Sequence, residues 1–127
     1  MKIWLNKADS KFVRDILDIE VFALRTALGK YDELSAGASE EARRLFHPGI
    51  IAAFENKARL FEELAAMIVP DSENELDQSK ADMIANAVRA AIRDDENVCT
   101  PEKYAEVAEV TDEMRKLVTL MMTGSEP

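Results

Sequence analysis

Apolar residues recur with a helical period along most of the chain. Phe12, Val13, Ile16, Leu17, Ile19, Ala23, Leu24, Ala27, Leu28, Tyr31 and Leu34 form one broad stripe, with Arg14, Asp18, Arg25 and Asp32 opposite. The pattern predicts a first helix from near Asp9 or Ser10, either able to cap, to about Ser35, with Gly37 suited to end it. Ser39-Glu40-Glu41 opens a short helix that stops at His47, and Pro48 is well placed as the first residue of a long helix. That second long helix runs to Val69, where Pro70 stops it.

The third helix has two candidate starts. Ser72 and Glu75 have the spacing of a capping box, and Asp77 or Ser79 offers a later cap; the helix continues to about Arg93 with Ile84, Val88, Ala91 and Ile92 on its apolar face. The fourth start reads most clearly, with Thr100 as cap, Pro101 in first position, Glu102 beside the positive helix end and Cys99 able to staple onto Tyr104. Its apolar face is Tyr104, Val107, Val110, Met114, Leu117, Val118 and Met121.

These elements predict an all-α fold, an antiparallel four-helix bundle with a short extra helix between helices one and two, in a single domain spanning residues 1–127. Ile3-Trp4-Leu5 is expected to dock along its side. Composition agrees, since hydrophobic residues make up 47% and only 4 glycines and 4 prolines occur in 127 residues, too few for a loop-rich scaffold. No internal repeat or low-complexity linker interrupts the chain.

Charge narrows the partners. The net charge is -9, and residues 61–127 carry 16 acids against 6 bases whereas residues 1–60 carry 9 against 10. Such a field disfavours direct binding to DNA, RNA or anionic lipid and favours a protein partner with a basic surface. The polar residues Asn6, Lys7 and Asp9 interrupt any signal-peptide core, the apolar runs are too short to span a bilayer, and Cys99 is the only cysteine. A reducing cytoplasm is the expected compartment.

Two residues break the helical pattern. Glu20 projects from the apolar stripe of helix one, and Lys57 points between Ala53 and Leu64 on one side and Ile50 and Phe61 on the other. A buried unpaired charge costs several kcal/mol, so the expectation is a buried Glu20–Lys57 pair, formed within the chain or at a subunit interface. The alternatives are a catalytic carboxylate beside a lysine, an anion site built on Lys57, and Lys57 extending to solvent along the surface.

Other chemistry is sparse. His47 and Cys99 are single residues, which excludes an ordinary zinc site within one subunit and leaves a Cys–His dyad beside their simpler roles at helix ends. The glycines are isolated, so no phosphate loop exists. The acids from Asp71 to Asp82 approximate a calcium loop, but Leu76 stands where the turn glycine belongs and Asp82 where a glutamate does. Glu62-Glu63-Leu64-Ala65-Ala66 holds two acids of the E-E-x-x-E pattern of all-helical nucleotide pyrophosphohydrolases, with alanine in place of the third. No cofactor or metal is expected.

The most specific surface feature is on helix four. Glu102, Glu106, Glu109 and Glu113 recur at i, i+4, i+7 and i+11, with Asp112 adjacent and Lys116 interrupting below. One turn separates successive carboxylates, a spacing close to that of phosphates along a nucleic-acid strand. The row is either a solvated face or a rod that docks into a basic groove. Phe22, Leu120 and Trp4 are expected to stand exposed, which allows a homodimer or a partner, and Arg43, Arg44 and His47 form one basic cluster.

The leading expectation is a non-enzymatic interaction module, a small acidic inhibitor or adaptor that occludes a basic, nucleic-acid-binding surface of another protein. In size, acidity and lack of catalytic motifs it resembles the small helical proteins that phages direct against host defence, anti-CRISPR proteins among them. The resemblance is one of class and carries no residue over. The alternatives are a helical bundle that binds a small molecule or nucleotide, as a magnesium-dependent hydrolase would with Glu20, Lys57 and the acids of 71–82, and a structural homo-oligomer.

Overall fold

The computed structural model describes residues 1–37, 48–97 and 104–124. Among them are four helices, α1 (Lys7–Gly37), α2 (Pro48–Met67), α3 (Gln78–Asn97) and α4 (Tyr104–Thr123), and two short strands, β1 (Lys2–Leu5) and β2 (Ser72–Glu75). The protein is mostly helical, as the apolar period predicts. The short helix expected over Ser39–Phe46 and the entry to α4 at Cys99, Thr100 and Pro101 lie outside the described residues. Contacts group the chain into two compact units, Met1–Ile16 with Met67–Pro127, and Leu17–Ala66.

The first unit contains the strands. β1 and β2 pair antiparallel, Ile3 opposite Asn74 and Leu5 opposite Ser72, and Leu76 N–H extends the ladder to the Met1 carbonyl at 2.9 Å. An isolated two-stranded ribbon is marginal in water, and this one is fixed by burying Ile3, Leu5 and Leu76 while Lys2 and Trp4 face out. Ile3-Trp4-Leu5 therefore docks as a strand. The capping-box start at Ser72 is corrected by the same pairing: Ser72–Glu75 spends its backbone on the ladder, and α3 begins at Gln78. Its cap is the later one, Asp77, whose Oδ1 accepts Lys80 N–H at 2.9 Å.

α1 starts earlier than expected, at Lys7. Asn6 is the cap, its Oδ1 accepting Asp9 N–H at 2.7 Å, and Asp71 in the turn before β2 accepts Lys7 N–H at 2.9 Å. Ser10, a predicted cap, is instead buried and donates its hydroxyl to the Leu5 carbonyl at 3.4 Å.

α3 and α4 pack closely and run antiparallel, since Glu96 pairs with Arg115 and, seven residues back on α3, Arg89 meets Met122, seven residues on along α4. Ala81, Ala85 and Ala87 keep side-chain bulk low on α3, and Ile84, Val88 and Ile92 bury in the expected direction, as do Met114, Leu117, Val118 and Met121. Two expectations are corrected here. Val110 is 51% exposed and Leu120 is buried, so the strip that is solvated at Glu113 is covered two turns later, toward the end of α4 that stands beside Met1. Gly124 ends the helix at φ 75°, its N–H donating to the Leu120 carbonyl at 2.8 Å.

In the second unit the later part of α1 lies antiparallel to α2. Arg25 pairs with Glu62, and a groove of about 640 Å³ opens beyond that pair between Leu28, Gly29 and Asp32 on α1 and Ala52, Glu55 and Asn56 on α2. Leu17, Val21, Ala58, Phe61, Leu64 and Ala65 are buried. The buried stripe of α1 is narrower than the sequence suggests: Ile19 and Ala23 are exposed, and Leu24, Ala27, Leu28 and Tyr31 are half-buried. Among the described residues no helix is long and apolar enough to cross a membrane.

Candidate partner-binding face

The acidic row is read most directly on α4. Glu109, Asp112 and Glu113 are all exposed. Glu102 lies outside the described residues, and so does the side chain of Glu106, whose backbone belongs to the first turn of α4. Bases are interleaved more closely than the sequence pattern implies. Lys116 Nζ stands 3.1 Å from Glu113 Oε1, and Arg115 reaches Asp112 at 3.5 Å while also pairing with Glu96 of α3. Glu109 has no ion pair among the described residues. Exposed pairs of this kind contribute little to stability and are readily exchanged for a partner's charges.

One flank of the row is apolar, a feature that sequence reasoning missed. Phe12, on the second turn of α1, and Val110, Met114 and Leu117 of α4 line a groove of about 280 Å³ whose remaining walls are Asp9, Glu109 and Glu113. The signal was present in the chain, since Val110 shares the helical face of Met114 and Leu117 yet lies next in sequence to Glu109. Helical spacing hides it, because that face assigns Val110 to the core.

Glu20 and Lys57 both lie in the second unit and do not form the expected buried pair. Glu20 is half-buried, Lys57 is exposed, and no hydrogen bond or ion pair joins them. At 100° per residue Lys57 points about 70° away from the buried line of Ala58, Phe61 and Ala65, far enough for its stem to lie along the helix surface. Its Nζ stands 5.8 Å from the centroid of the Phe61 ring one turn on, a cation–π contact. The lysine is therefore satisfied by solvent and an aromatic face.

Four of the five acids of 71–82 have a structural partner nearby among the described residues, Glu73 being the exception. Asp71 caps α1, Glu75 meets the Met1 amine at 3.5 Å, Asp77 caps α3, and Asp82 accepts from Gln78 Nε2 at 2.7 Å. Among the described residues no three His, Cys, Asp or Glu side chains converge as a metal site would require. His47, Cys99, Arg43 and Arg44 lie outside the described residues. Trp4 is 56% exposed and Phe22 is 73% exposed, both as expected.

No protein-family model matches the chain, and no curated protein or solved structure is similar enough to show a relation.

Proposed function

We propose that the protein is a non-enzymatic interaction module whose acidic α4 face docks onto a basic surface of a partner protein, as an inhibitor or adaptor that keeps nucleic acid off that surface in the manner of phage anti-defence proteins. The observation that carries the reading is the shared exposure of Glu109, Asp112 and Glu113 on one side of a helix in the strongly acidic half of the chain. Complementary fields of this kind speed association and reject like-charged competitors, so nucleic acid itself is a poor ligand. The antiparallel four-helix bundle belongs to the same reading, supported by the antiparallel order within α1–α2 and within α3–α4.

The test is capture of basic, nucleic-acid-binding proteins from a native cytoplasmic lysate at low and high salt. Wild type is expected to retain such a partner at low salt and release it at high salt, whereas Glu106→Lys, Glu109→Lys and Glu113→Lys combined should fold and retain nothing. Equal capture by both would overturn the reading.

Two other readings each have an observation in their favour. The 640 Å³ groove between α1 and α2 has the size of a small-molecule or nucleotide site, although Arg25 and Arg59 are balanced there by Asp32 and Glu55, which gives no preference for an anion. Exposed Ile19, Phe22, Ile50 and Leu60 favour a homo-oligomer, which light scattering would reveal as a mass above 14.2 kDa.

A further inference from the structure

The groove beside the acidic row combines two chemistries within one turn of helix. Its floor is Met114 and Leu117, nearly buried, with half-buried Phe12 as one wall and exposed Val110 as its lip. Asp9 of α1 and Glu109 and Glu113 of α4 stand around that floor. The volume, about 280 Å³, falls below the usual range for a whole small-molecule ligand and suits a single large side chain. An apolar floor gives nothing to a bare polycation, and the acidic rim disfavours an anionic or purely apolar guest.

We propose that this groove is the anchor pocket for a basic amphipathic helix of a partner protein, which inserts one large apolar side chain between α1 and α4 and sets Lys or Arg, three or four residues away, against Glu109 and Glu113. The proposal rests on the reading of α4 as the partner-facing helix and names what the partner presents. A helix fits because anchors spaced at i and i+4 match Glu109 and Glu113, which are themselves one turn apart. Insertion of the apolar side chain would cover Val110, and the basic residues would replace the surface pairing of Glu113 with Lys116. Central apolar anchoring inside a charged rim is the arrangement in which a few residues carry most of the binding energy.

The test uses the full chain and fluorescence anisotropy of three labelled peptides: an amphipathic helix of Leu and Lys, its counterpart with Glu in place of Lys, and oligolysine of equal charge. The Leu/Lys helix is expected to bind about tenfold more tightly than oligolysine, and the Leu/Glu helix not at all. Val110→Asp is the deciding variant, because it adds a negative charge while removing the apolar lip at a solvent-exposed position. It should weaken the Leu/Lys helix by about tenfold, where pure charge attraction would strengthen it. Glu109→Gln with Glu113→Gln should also weaken binding, and Glu73→Gln with Asp94→Asn, equal in charge but elsewhere on the surface, should not.

Oligolysine binding as tightly as the Leu/Lys helix, with Val110→Asp unimpaired, overturns the anchor pocket and leaves the acidic α4 reading standing. No binding by either basic peptide overturns both. Equal loss in the Glu73/Asp94 control overturns the pocket by showing that the overall charge alone is sensed.

Discussion

The side-chain amide of Asn74 grips the backbone of Val69 from both sides: Val69 N–H donates to Asn74 Oδ1 at 2.8 Å, and Asn74 Nδ2 donates to the Val69 carbonyl at 3.1 Å and to the Ser72 carbonyl at 3.2 Å. Asn74 is 4% exposed and faces Ile3 across the ribbon, so the amide serves as a substitute backbone that closes the turn between α2 and β2.

Asn74→Ala is therefore expected to destabilise by about 2 kcal/mol, because it leaves the backbone N–H and carbonyl of Val69 without the amide at a part-buried turn. Asn74→Asp is expected to be no better. A carboxylate can accept from Val69 N–H but has no donor for the two carbonyls, and it adds charge between Glu73 and Glu75. Urea denaturation followed by circular dichroism reads both, and wild-type stability in either variant would remove the amide from this role.

A second turn residue is expected to be costly for a different reason. Asp71 holds φ 50° and also caps α1 through Lys7 N–H. Asp71→Ala loses the acceptor and is strained in the left-handed region, so a loss of about 1–2 kcal/mol is predicted. Asp71→Gly relieves the backbone but forfeits the cap and should fall between, while Asp71→Asn retains both and should remain within about 0.5 kcal/mol of wild type. That ranking, measured by thermal melting, separates capping from backbone strain.

For Glu20 and Lys57 the exposed position of Lys57 predicts independence. Glu20→Ala and Lys57→Met should each change stability modestly, and their double-mutant coupling should lie within about 0.5 kcal/mol of zero. A coupling of several kcal/mol would restore the buried pair. Lys57→Ala should cost slightly more than Lys57→Met, since it also removes the alkyl stem that lies toward Phe61.

How much of this was legible in the sequence depends on what kind of signal each element carries. The four helices announce themselves through apolar period and end signals, and the buried faces of α3 and most of α4 follow from them. The ribbon does not. Ser72-Glu73-Asn74-Glu75 has no apolar residue and no β-branched residue, so β2 exists because β1 supplies a ladder and Asn74 closes the turn, which are tertiary causes. Lys2-Ile3-Trp4-Leu5 alternates in burial as a strand should, but four residues are too few to outvote a helical context. The site divides in the same way. Exposed carboxylates at Glu109, Asp112 and Glu113 follow from helical spacing alone, whereas the groove beside them needs Phe12, nearly a hundred residues earlier, to stand against Val110. For Lys57, helical spacing points the side chain near the edge of the core, and its length decides the outcome.

The last prediction concerns Gly124, where α4 ends. A Cβ at this position would stand 3.1 Å from Met1 Sδ and 3.2 Å from Met1 Cγ, and φ is 75°. Two penalties thus oppose any substitution, and they scale differently. The thioether is flexible and can withdraw by a few tenths of an ångström, whereas the left-handed backbone is fixed by the Gly124 N–H bond to the Leu120 carbonyl. The backbone penalty should dominate, so Gly124→Ala is expected to cost about 1 kcal/mol, and Gly124→Asn, larger but more tolerant of positive φ, is expected to cost less. If Asn proves the more damaging of the two in chemical denaturation, contact with Met1 governs the position, and the end of α4 is held chiefly by packing against the residue that precedes β1.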